Sequence, residues 1–479
     1  MGIVQPRKLD DALGDSGYRL DKYFLGDRSI IFNRISELLI SASFGANAIL
    51  YSVWLGYIMG VWAIFIHLAW CVSFILLGKF VFNIYHYTSL HDFLGSKFGR
   101  TTRIISALCS IIGIVYFTGW EIAITLNGVE SLASFSDLGN SVNWPIITTL
   151  IVMTALFYTV LGGVKANSII NPILNAVKLF LLCGVVCTML WIVYDKEQLS
   201  VGLFVPDFDL SILKLGVIAF ITNIIFNLSW QFVDNSSWQT ISSSNNDIAG
   251  LKKLLPRTSI GVLFAYILGT ILGVTLRVIP DLNSDNILGN LALMCSSRYS
   301  FLLPLSMIVL LLFSMMSLVD GLGLSVSQTI MVDLRITNKC KKVITSISPM
   351  QLARFFTILS GIFAAWGVSF ILNILGINIF DFVYIFIVIQ LSLLGPVLVG
   401  LLFKFRNIQF IWVSIVISCV VGISANVFGG LWKISWLLDA AGTITTLTSI
   451  LVAFSMYWVA KSRRRRVREI IEGSSTSKT

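Results

Sequence analysis

The sequence predicts an all-α polytopic membrane protein, and three observations lead to this fold class. Hydrophobic residues make up 56% of the 479-residue chain and charged residues only 12%, whereas a soluble domain holds roughly twice that share of charge. The mean hydropathy is correspondingly high, at +0.87. Apolar stretches of about 20 residues, the length that crosses a bilayer as a helix, recur from one end of the chain to the other. The alternating segments typical of a transmembrane barrel are not seen.

The apolar stretches number about twelve, and each is predicted to form one membrane-spanning helix. They cover residues 34–58, 60–82, 103–131, 143–161, 168–194, 212–232, 258–279, 301–331, 351–372, 378–403, 408–429 and 435–460. They divide the chain into an N-terminal segment (1–33), a first five-helix unit (34–194), a second five-helix unit (212–403), two additional spans (408–460) and a basic tail (461–479).

The basic residues are distributed unevenly between the two sides of the predicted membrane. They lie before the first span, after every even-numbered span and in the tail sequence KSRRRRVR, whereas the alternate loops hold very few. This asymmetry indicates that both termini of the multi-pass protein lie in the cytoplasm. We expect the protein to reside in the plasma membrane. The net charge of +10 is then better explained by contact with anionic lipid than by nucleic acid.

Several function classes are disfavoured by motifs that the sequence lacks. It contains no GxxxxGK[ST] phosphate-binding loop and no zinc-ligand spacing among its three histidines. Only a short tail follows the last span, so we expect no soluble catalytic domain. We therefore predict neither an enzyme nor a bound cofactor, and we interpret the glycine pairs Gly56–Gly60 and Gly269–Gly273 as helix-packing motifs.

Two spans contain polar interruptions that are unusual for a uniform membrane helix. The first span includes ELLISASFGANAI and the sixth includes ITNIIFNLSWQFVDN. Because the two spans are five apart, they cross the membrane in opposite directions, as in transporters built from inverted repeats that bind substrate and ions where such helices unwind. Unwound backbone offers free carbonyls to a cation and free amides to an anion. The alternative is that small polar residues merely allow the helices to pack closely.

Five segments, in order, resemble those of the sodium/solute symporter family. They are YFLGDRSI (23–30), SLHDFLGSKFGRTTRIISAL (89–108), YTVLGGVKA (158–166), NLSWQFVDNSSWQ (227–239) and FSMMSLVDGLGLSVSQTIMVDL (313–334). The resemblance implies an inverted 5+5 repeat with helices 1 and 6 broken. It also implies secondary active symport of a small polar solute by alternating access, with sodium as the usual coupling ion.

The resemblance also implies a cation site between helices 1 and 8. The family's sodium ligands correspond here to the carbonyls of Ser41 and Phe44 and to the helix-8 residues Ser314 and Ser317. Two family features are replaced: the second helix-8 hydroxyl is Leu318, and the carboxylate expected on helix 5 is Asn171. Since a hard cation prefers oxygen ligands, some of them charged, these changes weaken the expectation of sodium coupling.

Lys178 lies on the same predicted helix face as Asn171. Ser168, Asn171, Asn175 and Lys178 recur at helical spacing, which places Lys178 about 15 Å into the span and near the membrane midplane. Three roles are open, and the mid-span depth disfavours the last of them. The ammonium could replace the sodium ion and exchange a proton during transport, it could form a structural ion pair, or it could extend toward an interface.

Substrate contacts are predicted on the broken helices and on ionisable residues within spans. The candidates are Asn47, Asn223, Asn227, Trp230 and Gln231, together with His67 and Glu121. Glu121 could hold a cationic or hydroxyl-bearing solute or pair with Lys178. Asp320 is a further intramembrane acid, and Asp381 is expected to act in gating.

The sequence thus favours a cation-coupled secondary transporter whose partners are a small polar solute and the lipid bilayer. The coupling ion is Na+ or H+, and the main alternative is a proton-coupled or sodium-independent carrier in which Lys178 replaces sodium. Two other classes remain open, a membrane sensor acting with a separate partner chain and a channel. Neither the solute nor the oligomeric state is assigned by the sequence.

Overall fold

The computed structural model describes most of the chain. The described residues are 15–134, 142–195, 201–245, 248–278, 302–334, 348–368, 370, 374, 383–403, 408 and 410–476. Within these ranges the secondary structure is helical, and extended pairing is confined to a single bridge between Ile30 and Ser244. The predicted all-α class is confirmed.

Seventeen helices of eight residues or more organise the described part of the chain. In chain order they are α1 (Asp15–Leu25), α2 (Phe32–Ser43), α3 (Ala46–Met59), α4 (Ile64–Lys79), α5 (Leu90–Phe98), α6 (Arg100–Ala133), α7 (Trp144–Asp195), α8 (Phe208–Leu215), α9 (Val217–Val233), α10 (Asn235–Ser242), α11 (Ile248–Leu276), α12 (Leu302–Gln328), α13 (Pro349–Ile362), α14 (Val383–Leu391), α15 (Leu394–Leu402), α16 (Trp412–Leu431) and α17 (Ser435–Thr476). Shorter helical turns connect them at Gly26–Arg28, Gly60–Ala63, Val81–Tyr85, Val201–Phe204, Thr329–Asp333 and Phe363–Gly367.

By length and hydropathy, eight helical segments of the described chain could cross a membrane. The number is nine if Gly202–Leu215 and Val217–Val233, which meet at a bend of 94°, count together as one span. The predicted number is larger partly because neighbouring spans run together. The 52-residue α7 holds the predicted fourth and fifth spans, which meet where Gly163 leaves helical geometry (φ 59°, ψ −148°). Similarly, α3 and α4 are counted as one 34-residue segment across the turn at Gly60–Ala63.

The predicted break in the first span is confirmed. Helix α2 ends at Ser43 and α3 begins at Ala46, with Phe44 (φ −117°, ψ 53°) and Gly45 (φ −77°, ψ 172°) in non-helical conformations between them. The break therefore lies inside the polar stretch SASFGAN. It frees carbonyls at the end of α2 and amides at the start of α3.

The break in the sixth span lies later than the sequence suggests. Helix α9 runs without interruption through Asn223 and Gln231, and the chain leaves helical geometry at Asp234 (φ −79°, ψ 106°) before α10. Asn223 remains compatible with the helix because its amide donates to the Ala219 carbonyl one turn earlier, at 2.8 Å. Asp234 permits the break because its carboxylate accepts the N–H groups of Ser236 and Ser237 at 3.1 and 3.0 Å.

Close packing of α3 against α11 depends on glycine. A Cβ added at Gly56 would collide with the Thr270 carbonyl, and one added at Gly273 would collide with the Val53 carbonyl. Because both helices have glycine at the crossing, their backbones come into direct contact. This agrees with the interpretation of these glycines as packing positions. It also holds α3 in place beside the helix break.

Candidate functional site

The break between α2 and α3 lies beside three long helices. Helix α7 packs against both α2 and α12, and α6 packs against α3 and α12. These contacts direct buried polar side chains from α6, α7 and α12 toward Phe44 and Gly45. The candidate site is therefore built from the residues of the break and from the helices that surround it.

Lys178 on α7 is fully buried, with 0% of its surface exposed. Its Nζ donates hydrogen bonds to the Phe44 carbonyl at 3.2 Å and to the Ser317 hydroxyl at 2.8 Å. The same nitrogen lies 5.0 Å from the centre of the Phe44 ring, which adds a cation–π contact. The ammonium thus joins the broken helix 1 to α12, the helix that holds the predicted helix-8 ligands.

The oxygen atoms around Lys178 form a short chain of hydrogen bonds. The Ser317 hydroxyl accepts from Lys178 and donates to the Ser314 carbonyl at 3.0 Å. On the other side, the Ser41 carbonyl accepts the Phe44 N–H at 3.3 Å. Among the described residues, the hydroxyls of Ser41 and Ser314 are buried without a hydrogen-bond partner. Phe44 and Ser317, predicted cation ligands from the two helices, therefore contact one buried charge.

Asn171 and Asp320 form a second polar group next to Lys178. Tyr158 donates its hydroxyl hydrogen bond to Asp320 Oδ2 at 2.8 Å, and Asn171 adjoins the same carboxylate. Asp320 is fully buried and within electrostatic range of Lys178. In the part of the chain that the structure describes, however, no carboxylate forms a direct ion pair with Lys178. Asp320 compensates the lysine charge at longer range rather than by contact.

The polar face predicted for Lys178 continues along α7 to Asn175. The Asn175 amide donates to the Glu37 backbone carbonyl and to its carboxylate, both at 2.9 Å. Ser168, in contrast, donates to the Lys165 carbonyl within its own helix. Asn175 therefore ties α7 to α2, whereas Ser168 makes only a local bond.

Glu121 caps the second half of the broken helix, a role that the sequence did not suggest. Its Oε1 accepts the Ala46 N–H at 2.6 Å and its Oε2 accepts the Asn47 N–H at 3.2 Å. These N–H groups belong to the first residues of α3, where a helix has unpaired donors and a partial positive charge. The Asn47 side chain also serves this helix, because its Oδ1 accepts the Ala48 N–H at 2.6 Å.

Rings from four helices pack together and form what we term the aromatic cluster: Trp70, Phe117, Trp120, Trp230 and Phe386. Trp70 and Trp230 are stacked with ring centres 6.2 Å apart, and Phe117 meets Trp230 edge-on at 5.7 Å. Phe386 lies 5.0 Å from Phe117 and 5.8 Å from Trp120. The indole N–H groups of Trp70 and Trp120 are buried and find no acceptor among the described residues.

Four other predicted substrate residues make structural contacts. Asn227 donates to the Ile66 carbonyl at 3.0 Å, and Gln231 accepts the Ser237 hydroxyl at 2.8 Å. His67 Nε2 lies 3.1 Å from the Thr270 hydroxyl. Asn223 bonds within its own helix, as described above. None of these four bonds includes Lys178, and Asp381 lies outside the described residues.

Sequence reasoning named Asp320 only as an intramembrane acid and assigned no role to Tyr158, Trp70 or Trp120. Only Asp320 had a usable signal, because it follows Ser317 by three residues and therefore shares its helix face. The aromatic residues carried no such sequence signal, since 12% of the chain is aromatic and most such rings pack against neighbours or lipid.

Comparison with known proteins finds similarity in structure alone. No family model matches the sequence, and no curated protein matches it either. A solved Na+-coupled sialic acid symporter in a substrate-bound outward-open state superposes with a TM-score of 0.66 at 15% identity, over 90% of this chain and 91% of that one. A nucleobase-cation-symport-1 family transporter in a closed conformation with bromovinylhydantoin bound superposes with a TM-score of 0.58 at 13% identity, over 91% of this chain and 94% of that one. MhsT in complex with L-phenylalanine superposes with a TM-score of 0.50 at 16% identity, over 90% of this chain and 99% of that one.

At these identities the similarity establishes the fold. The chain has the inverted 5+5 repeat architecture of sodium-coupled symporters, in agreement with the resemblance drawn from its motifs.

Proposed function

We propose that this protein is a secondary active transporter that moves a small polar solute by alternating access, with the Lys178 ammonium in the place of a sodium ion. One observation supports this choice above the others. Lys178 Nζ is bonded to the Phe44 carbonyl and the Ser317 hydroxyl, at 3.2 and 2.8 Å. These are two of the groups that the family resemblance assigns to sodium.

The broken first helix supports a binding function. Unwound backbone in a membrane is stable only where other groups satisfy it, and here Lys178 and Glu121 do so from two different helices. The solved structures of similar fold include proteins described as a symporter and a transporter. Together these observations favour a carrier over an enzyme.

Coupling to sodium is the family default, but the local chemistry favours the lysine. Leu318 and Asn171 stand where the resemblance expects a hydroxyl and a carboxylate, so the site has lost oxygen ligands for a hard cation. The ammonium supplies a positive charge and hydrogen-bond donors for the remaining oxygens. A buried lysine can also exchange its proton, which would make a proton the coupling ion.

The proposal includes an orientation and a division of the chain. The Lys and Arg distribution supports cytoplasmic termini, and the proposed location is the plasma membrane. The two inverted units are 34–194 and 212–403, with 408–460 as additional spans.

Uptake into proteoliposomes tests this function. A panel of labelled polar solutes is offered under a sodium gradient, a proton gradient or neither. We expect saturable uptake of at least one solute that is unchanged when choline replaces sodium. Lys178→Ala should abolish that uptake, whereas the exposed control Lys253→Ala should leave it intact. Sodium-dependent uptake that persists undiminished in Lys178→Ala would refute the replacement of sodium by lysine.

A further inference from the structure

We infer that the solute bound at the helix break carries no carboxylate and is a molecule with a flat face and hydrogen-bond acceptors. This inference rests on the proposed transport function and specifies the chemistry of the same site. It follows from two features that the family resemblance does not include: the position of Glu121 and the unpaired donors of the aromatic cluster.

The anion-binding position of the broken helix is already occupied by the protein itself. In transporters with discontinuous helices, the N-terminus of a half-helix points at anionic groups of the substrate. Here both oxygens of Glu121 accept the N–H groups of Ala46 and Asn47, at 2.6 and 3.2 Å, and the side chain is 0% exposed. A solute carboxylate would find these donors taken and a like charge beside them.

The backbone of the break is shaped to admit this side chain. A Cβ at Gly45 would lie 2.8 Å from Glu121 Oε1 and 2.9 Å from Asn47 Oδ1, closer than real Cβ contacts allow. Gly45 has a φ of −77°, which any residue can adopt. Glycine is therefore needed at this position because it leaves room for the Glu121 carboxylate, and not because the backbone adopts an unusual conformation.

The aromatic cluster indicates what the solute offers instead. Trp120 precedes Glu121 directly, and its indole N–H, like that of Trp70, is buried without an acceptor in the described structure. A buried donor without a partner is costly, so a ligand that brings acceptors is favoured. The surrounding ring faces favour a flat molecule that can stack on them.

Equilibrium binding to the purified full-length protein in detergent tests this selection without requiring transport. The probes are matched carboxylate and carboxamide pairs on one ring, benzoate with benzamide and nicotinate with nicotinamide. Binding is followed by tryptophan fluorescence and by the thermal unfolding midpoint. In the wild type, we expect the carboxamide of each pair to bind about tenfold or more tightly, the factor that one unpaired buried polar group produces.

Variants of Glu121 then assign the preference to this side chain. Glu121→Ala, which frees the two N–H groups, should reverse or abolish the preference for the carboxamide. Glu121→Gln keeps the side-chain volume but removes the charge, and should weaken the preference in a protein that stays folded. Glu130→Ala, which changes an exposed glutamate on the same helix, should leave the preference for the carboxamide unchanged.

The inference is overturned if the carboxylates bind the wild type as tightly as the carboxamides, or if neither Glu121 variant alters the preference. Loss of transport with an intact binding preference would instead count against the proposed function alone.

Discussion

Glu121 shows how a single buried charge can define a helix break. Its carboxylate replaces the side-chain cap that the start of α3 lacks, since Gly45 at that position offers no side-chain acceptor. A charge-assisted bond of this kind contributes about 1.5–3 kcal/mol in proteins. Loss of the cap should therefore destabilise the fold around the break.

Replacing Gly45 with alanine tests the cap without removing the carboxylate. The new Cβ would lie 2.8 Å from Glu121 Oε1 and should displace it, lowering the free energy of unfolding by about 1–3 kcal/mol. The thermal unfolding midpoint of the purified protein measures this change. Gly184→Ala is the matched control, because a Cβ there has no contact within 4 Å. Equal stability of the two variants would contradict the close approach of Glu121.

At the residue scale, the sequence predicts the position of Lys178 better than that of Glu121. The helical spacing on α7 gives the depth of the lysine, and the family resemblance supplies Phe44 and Ser317 as its neighbours. Glu121 bonds to residues 75 and 74 positions earlier in the chain. No local pattern encodes such a pairing, because it depends on how α6 packs against the break.

At the scale of elements, an ion-pair cluster joins the ends of three helices. Arg103 near the start of α6 bonds Asp92 on α5 at 3.2 Å and Asp333, in the turn that ends α12, at 2.9 Å. Ser89 donates a further bond to Asp333 at 2.8 Å. The sequence identified this segment only as a family motif, because the partner Asp333 lies 230 residues away from Arg103.

Removal of the arginine should loosen these helix ends. Arg103→Gln leaves two buried carboxylates without their cation, and breaking a buried pair in this way costs about 3–5 kcal/mol. We expect a lower thermal unfolding midpoint and faster proteolysis of the α5–α6 connection. Arg100→Gln, an exposed arginine on the same helix, is the control. If both variants unfold at the wild-type temperature, the cluster does not hold these helices together.

The break in the sixth span shows that the position of a helix break is harder to predict from sequence than its existence. Polar residues between Asn223 and Gln231 correctly indicate an unusual sixth span, but helix α9 continues through them. Amide side chains can bond to carbonyls without disturbing a helix. Asp234, in contrast, offers a carboxylate to the N–H groups that begin a new helix, and this is where the chain bends.

At the scale of the whole molecule, hydropathy and charge asymmetry were sufficient to predict a polytopic helical protein. The inverted architecture followed from two polar interruptions five spans apart and is matched by solved structures of 13–16% identity. The number of spans was less accessible to sequence reasoning. The 52-residue α7 bends at Gly163 without a loop that would separate its two halves.

The account depends on Lys178 acting in place of sodium, and the sodium dependence of stability tests this most directly. Purified wild type and Lys178→Ala are melted in sodium chloride and in choline chloride of equal ionic strength. Wild type should melt at the same temperature in both salts, because the ammonium already occupies the Phe44 carbonyl and Ser317 hydroxyl. Lys178→Ala should be stabilised by sodium, by about 1 kcal/mol at a concentration about five times the Kd. Stabilisation of the wild type by sodium, together with no response in Lys178→Ala, would contradict the account.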